Sequence, residues 1–171
     1  MERRFRYCPA MRPDFEILPA MAGDAERLRA VMCRGFAGYR GRLQPESSVF
    51  AETAAQIAAK LAGGGGRLAW QGDAVLGCVI AERLARGSGR VGYIGRLAVD
   101  PAARGHGLGG RLVAAAEDFL RGQAMVHAEV HVRIALPENI AFFARRGYQE
   151  TARGTHPGFA HPTYLVMTRP L

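Results

Sequence analysis

The chain has 171 residues, 49% of them hydrophobic, which allows one domain with a sizeable core. No apolar run approaches the ~20 residues that span a bilayer, so no membrane partner is expected. The 23 basic residues outnumber the 15 acidic ones for a net charge of +8, but the arginines are dispersed apart from Arg3, Arg4 and Arg6; this argues against nucleic acid and for a small anionic ligand at a focused site.

Residues 1–14 read as a loosely ordered arm before a single domain over 15–171. The arm has charge but no apolar stretch, so no signal peptide is expected. Cys8, Cys33 and Cys78 are odd in number, widely spaced and free of a CxxC pair. That argues against a disulfide framework or a zinc knuckle and fits a reducing cytoplasm.

Glu16 to Pro19 reads as a short strand. Gly23 or Asp24 can cap a helix with Leu28, Val31, Met32 and Phe36 on one face. After the turn-rich GYRGRLQPESS, a second helix shows Phe50, Ala54, Ile57, Ala58 and Leu61 at helical spacing and stops at the glycines 63–66. Strands over Arg67–Gln71, Val75–Leu84 and Val91–Val99 form a meander, with a turn ARGSGR before the last of them. A Gly-rich loop leads into a helix over Leu108–Arg121. Val126–Val132 is a strand and Asn139–Arg146 a short helix closed by Gly147. Tyr148–Ala152 and Thr163–Thr168 are the final strands. The order is α+β, with a mostly antiparallel sheet and one or two late parallel crossovers.

The loop RGHGLGG places four glycines in seven residues at a helix entrance. The first N–H groups of a helix have no internal partners and the helix dipole is positive there, so a strand, a Gly-rich turn and a helix start make an anion site. Glycine lets phosphate oxygens reach the backbone, and Arg104 adds a forked cation. A pyrophosphate is therefore expected on this loop. Gly105-x-Gly107-x-x-Gly110 also satisfies the dinucleotide fingerprint, but such a unit should open an alternating parallel fold, and here it falls late. No GK[ST] follows, which excludes a Walker loop. Coenzyme A remains.

Arg104-Gly105-His106-Gly107-Leu108-Gly109 resembles the R/Q-x-x-G-x-G/A signature of the GNAT superfamily of acyl-CoA N-acyltransferases. IGRLAVDP before it resembles the family's fourth strand, and RIALPENIAFFARRGY after it resembles the family's later helix and strand. The resemblance implies a mixed sheet of about six to seven strands, splayed between the fourth and fifth and flanked by about four helices. It implies that backbone at Leu97, Ala98 and Val99 pairs with the pantetheine arm, and that amides from Arg104 through His106 and Leu108 to Gly110 hold the pyrophosphate. Asn139 then reaches the cofactor, and Phe143 stands where many members place a tyrosine acid. The implied activity is transfer of acetyl from acetyl-CoA to a primary amine of a small molecule or peptide, by direct attack in a ternary complex. A homodimer is common in the family. A CoA-binding sensor with little catalysis and a dinucleotide-binding protein are the alternatives.

The amine must lose a proton during attack. In the strand from Val126, His127, Glu129 and His131 share one face, so Glu129 and His131 are candidate bases, as is Glu82 near the end of the third strand. Tyr148 and Tyr164 are candidate acids. Arg96 can hold a substrate anion or stand in an ion pair. HAEVH is not a metal motif: on a strand its two histidines lie about 13 Å apart, so no metal is expected.

Overall fold

A computed structural model describes residues 14–85 and 90–171. The expected arm, apart from Asp14, and most of the ARGSGR turn lie outside the described residues. The elements run in the expected order: β1 (Glu16–Pro19), α1 (Ala25–Phe36), α2 (Ala54–Leu61), β2 (Gly66–Gln71), β3 (Ala74–Leu84), β4 (Val91–Val99), α3 (Leu108–Gly122), β5 (His127–Arg133), α4 (Pro137–Ala144), β6 (Gln149–Gly154) and β7 (Tyr164–Pro170). Capping decides how two of the helices start. Phe50 sits in a separate 3-10 turn, because Thr53 and Gln56 form a reciprocal capping box that begins α2 at Ala54. Asp24 precedes α1, but its carboxylate accepts the Met21 N–H at 3.0 Å and caps the preceding turn instead.

The seven strands form one sheet in the order β1-β2-β3-β4-β5-β7-β6. All neighbours are antiparallel except β4 and β5, which run parallel over only three residue pairs, Val91–Tyr93 against His127–Glu129. Beyond Tyr93 the two strands separate, so the expected splay is present. A bulge accompanies it: between Cys78 and Ile80 of β3, β4 fits an extra residue, and Arg96 adopts φ 54°. Such a conformation is strained for a residue with a Cβ, by roughly 1–2 kcal/mol.

Helices cover both faces. α1 and α2 pack on one side through Leu28, Val31, Met32 and Ile57 against Leu68, Cys78 and Ile80. α3 packs on the other through Leu108, Leu112, Val113, Ala116 and Leu120 against Val79, Ala81, Ile94 and Ala128. The apolar stripe of α3 and the alternation along β3 and β4 dictate this three-layer arrangement. No described helix is long and apolar enough to cross a membrane.

Candidate active site

The splay opens into a cleft of about 880 Å³ that runs from the Gly-rich loop past β4 and β5 to Tyr164. Its donor end is held by α1 and the end of β4. Gly35 admits this approach, since a Cβ there would stand 3.0 Å from Ala98 Cβ and 3.2 Å from Val99 N. Arg34 binds Asp100 at 2.6 Å and the Val75 carbonyl at 2.9 Å, which fixes the helix against the strand exit.

Leu97, Ala98 and Val99 line the cleft, and on the β5 side this stretch has no paired strand. That side has room for an added extended chain, with the Val99 carbonyl already accepting from Arg104. Gly105, Gly107, Leu108, Gly109 and Gly110 line the same space. Gly105 and Gly107 have φ of 83° and 78°, which L side chains rarely adopt, and Gly107 is the residue that opens α3. Gly110 has a different reason: a Cβ there would stand 2.3 Å from Arg146 Nη2. Arg146 comes from just beyond α4, stacks 3.6 Å over the Phe142 ring and donates to the Phe142 carbonyl at 2.9 Å. It is a second cation at this end that sequence reasoning missed; the RR pair after FFA was its only trace. Arg104 lines the cleft as well, with its guanidinium donating to the carbonyls of Gly35 at 2.6 Å and Val99 at 3.3 Å. His106 turns away, into a smaller hollow beside Phe15 and Gln71.

Asn139 and Phe143 reach the cleft from α4. Asn139 Nδ2 lies 3.5 Å from the Tyr39 hydroxyl, and Phe143 packs edge-on to Phe142 and Tyr148. Tyr148 itself must be corrected. It is buried on the α3 side, where its hydroxyl donates to Glu117 Oε1 at 2.9 Å, and Arg169 binds the same carboxylate at 3.1 Å. Burial and the Glu117 charge push its phenol well above the ordinary tyrosine value. It does not line the cleft and has no path to a leaving group there.

The other end of the cleft gathers aromatic and titratable groups. His131 Nε2 lies 2.8 Å from Glu129 Oε1. Its ring stacks on Tyr164 with centroids 4.9 Å apart and meets Tyr93 edge-on at 5.0 Å. Glycines give these tyrosines their space, because a Cβ at Gly95 or Gly154 would stand 2.6 Å or 2.0 Å from the Tyr93 or Tyr164 ring. Burial raises the Tyr93 phenol, so its hydroxyl stays protonated near neutral pH. Glu129 is buried behind His131 and contributes no surface to the cleft. Glu82 is paired in register with Tyr93 across β3 and β4 and stands outside the lining.

Arg96 at the bulge lines the cleft and is also ion-paired. Its Nε lies 2.5 Å from Glu52 Oε2 and its Nη2 lies 3.2 Å from Oε1, while Lys60 binds the same carboxylate. Burial alone would raise the Glu52 carboxyl, but the bonds from Arg96 and Lys60 outweigh it and hold it below its ordinary value. Sequence reasoning missed Glu52, which lies in a loop with no periodic pattern. Among the described residues no group of three or more His, Cys, Asp or Glu is placed to hold a metal ion.

Comparison with known proteins bears on the family and the fold. The model of the Acetyltransferase (GNAT) family matches residues 35–148. The chain is 33% identical over 146 residues to glucosamine 6-phosphate N-acetyltransferase 1 of Oryza sativa subsp. japonica, covering 75% of this chain and 84% of that one. Among solved structures, the PaiA N-acetyltransferase of Thermoplasma acidophilum, in complex with coenzyme A, superposes with a TM-score of 0.75 at 15% identity, over 92% of this chain and 99% of that one. Ard1 of Thermoplasma volcanium gives 0.72 at 20% identity, over 92% and 97%. These two likenesses show a common fold.

Proposed function

The chain belongs to the GNAT family of acetyltransferases, and from that premise we propose that it moves acetyl from acetyl-CoA to a primary amine by direct attack in a ternary complex. One observation carries this reading. The open edge of β4, the glycine loop and His131, backed by Glu129, share one continuous cleft. The pyrophosphate sits on the amides of the loop and the start of α3, where unpaired N–H groups and the helix dipole favour anions. Pantetheine lies along Leu97 to Val99 in the manner of an added strand. That brings the thioester to the bulge, where a backbone N–H polarises its carbonyl as negative charge develops.

His131 is the general base in this reading. An ionised Glu129 can only accept, so His131 Nε2 carries the proton of their hydrogen bond and Nδ1 keeps its lone pair. The amine nitrogen attacks the thioester carbon and its proton passes to His131. The C–S bond then breaks, and the thiolate departs and takes up a proton from solvent, to which His131 releases the one it took from the amine. A free thiol titrates near ~8.5, so the sulfur leaves without help from Phe143.

The test is CoA release from acetyl-CoA with a panel of amines, with product identity read by mass spectrometry. Amine-dependent release with an N-acetyl product is the expected result. Binding of CoA without any amine-dependent release points to a sensor. A response to NAD or FAD and none to CoA overturns the reading.

A further inference from the structure

Resting on the acetyltransferase reading, we infer that the acceptor amine carries an anionic group, a phosphate or a carboxylate, and that Arg133 seats it. The observation is a pattern among the arginines of the cleft. Four line it: Arg96, Arg104, Arg133 and Arg146. Arg96 is ion-paired to Glu52, whose carboxylate it shares with Lys60. Arg104 and Arg146 bind only carbonyls, and they stand at the donor end, where a pyrophosphate supplies the missing anions. Arg133 also binds only a carbonyl, that of Pro45 at 2.5 Å, yet its neighbours are Tyr164 and His156 and not the glycine loop.

Arg133 is the last residue of β5, two positions beyond His131 and on the same face, about 6–7 Å further along the strand. Its backbone is in register with Tyr164, on which His131 stacks. Among the described residues it has no carboxylate partner. Glu46 is near enough to favour its charge, but the Glu46 oxygens accept the N–H groups of Gly41 at 3.1 Å and Ser47 at 3.2 Å. Burial lowers the Arg133 pKa, but a guanidinium stays charged at any working pH. A part-buried cation with most of its N–H donors uncommitted is costly alone and favourable with a bidentate anion. His156 lies beside it: its pKa is lowered by burial and then by the charges of Arg133 and His131. Arg133 thus sets a fixed positive charge on this side of the cleft, two residues from the base.

The experiment uses matched pairs on the whole chain: a hexosamine phosphate against the free hexosamine, and an ω-amino acid against its amide. Steady-state kinetics are measured for the natural chain, Arg133→Gln and Arg133→Lys, with calorimetric binding of the same amines. The anionic member of at least one pair is preferred, and the pair that shows it separates phosphate from carboxylate. Arg133→Gln raises the KM of the anionic acceptor roughly 10- to 100-fold, the range of a hydrogen-bonded charge pair. Its kcat and the acetyl-CoA KM move far less. Arg133→Lys recovers part of the preference. A preference for neutral or polycationic amines overturns the inference, as does an equal loss for both members in Arg133→Gln. If acetyl-CoA is neither bound nor consumed, the acetyltransferase reading falls by itself. The calorimetric arm still decides Arg133, since anionic amines must then bind the natural chain and be lost in Arg133→Gln.

Discussion

At the residue scale, the Glu129–His131 pair separates a role in chemistry from a role in packing. His131→Gln removes the base but keeps a polar side chain on β5. It lowers kcat by roughly 10²-fold or more and leaves acetyl-CoA affinity unchanged, read by steady-state kinetics beside a coenzyme titration. Glu129→Gln keeps the shape of the pair but can turn its amide N–H towards His131, which undoes the tautomer argument; its kcat loss is smaller. Equal falls in kcat and coenzyme affinity for both variants point to a collapsed cleft. His156 offers a spectroscopic check on the same cluster. Its folded pKa is depressed by burial first and by Arg133 next, so removing the Arg133 charge moves it upward. In Arg133→Gln the His156 imidazole titrates at higher pH than in the natural chain, as followed by NMR. An unmoved titration means that the Arg133 charge does not reach it.

Among the elements, the glycines divide by what they face. Gly107 opens α3 at φ 78° with nothing within 4 Å of a built Cβ, so Gly107→Ala meets only backbone strain. It costs about 1–2 kcal/mol in unfolding experiments and weakens acetyl-CoA binding, because the loop amides lose their aim. Gly65 stands just before β2, where a Cβ would meet the Ala81 carbonyl oxygen at 1.8 Å. Backbone cannot yield as a side-chain tip can, so Gly65→Ala destabilises by more than about 3 kcal/mol without any special effect on the coenzyme. The same contrast explains what the sequence made legible. Hydrophobic periods and glycine stops placed nearly every element within two or three residues, and the loop before α3 stood out through its density of glycine. Tyr148 did not disclose its place, because its pairing with Glu117 crosses 31 positions of chain. Neither did the partner of Arg96, at a separation of 44, nor the seat of Arg146 over Gly110. The reading of Tyr148 as an acid failed for that reason: residue type says what a group can do, and only packing says what it faces.

For the whole molecule, the splay divides the sheet into β1–β4 and β5–β7, joined by a parallel pairing of three residues and by the helices that cover both parts. The Glu52 carboxylate ties the segment before α2 to the β4 bulge beside that division. Its folded pKa is depressed, so its stabilisation is present above the unfolded value of about 4.3 and is lost as pH falls through the lower folded value. Glu52→Gln therefore lowers stability at neutral pH by about 2 kcal/mol, with both cations partly solvated, and makes the acid limb of the stability curve shallower. Denaturant titrations at neutral and acid pH measure both effects. Coenzyme acts across the same division. A pantetheine laid on the open edge of β4, with its pyrophosphate on the loop, supplies β4 with the partner that the splay removes. Acetyl-CoA at 100 times its Kd adds about 2.7 kcal/mol, which for a chain of this size raises Tm by roughly 5–10 °C. The gain is local in origin, so hydrogen exchange locates it. Protection rises at the amides of 94–99 and 105–110 beyond the global increase, while β1 and β2 follow the global change alone. If added protection falls on β1 and β2 instead, the ligand sits elsewhere and the open edge of β4 is not its seat.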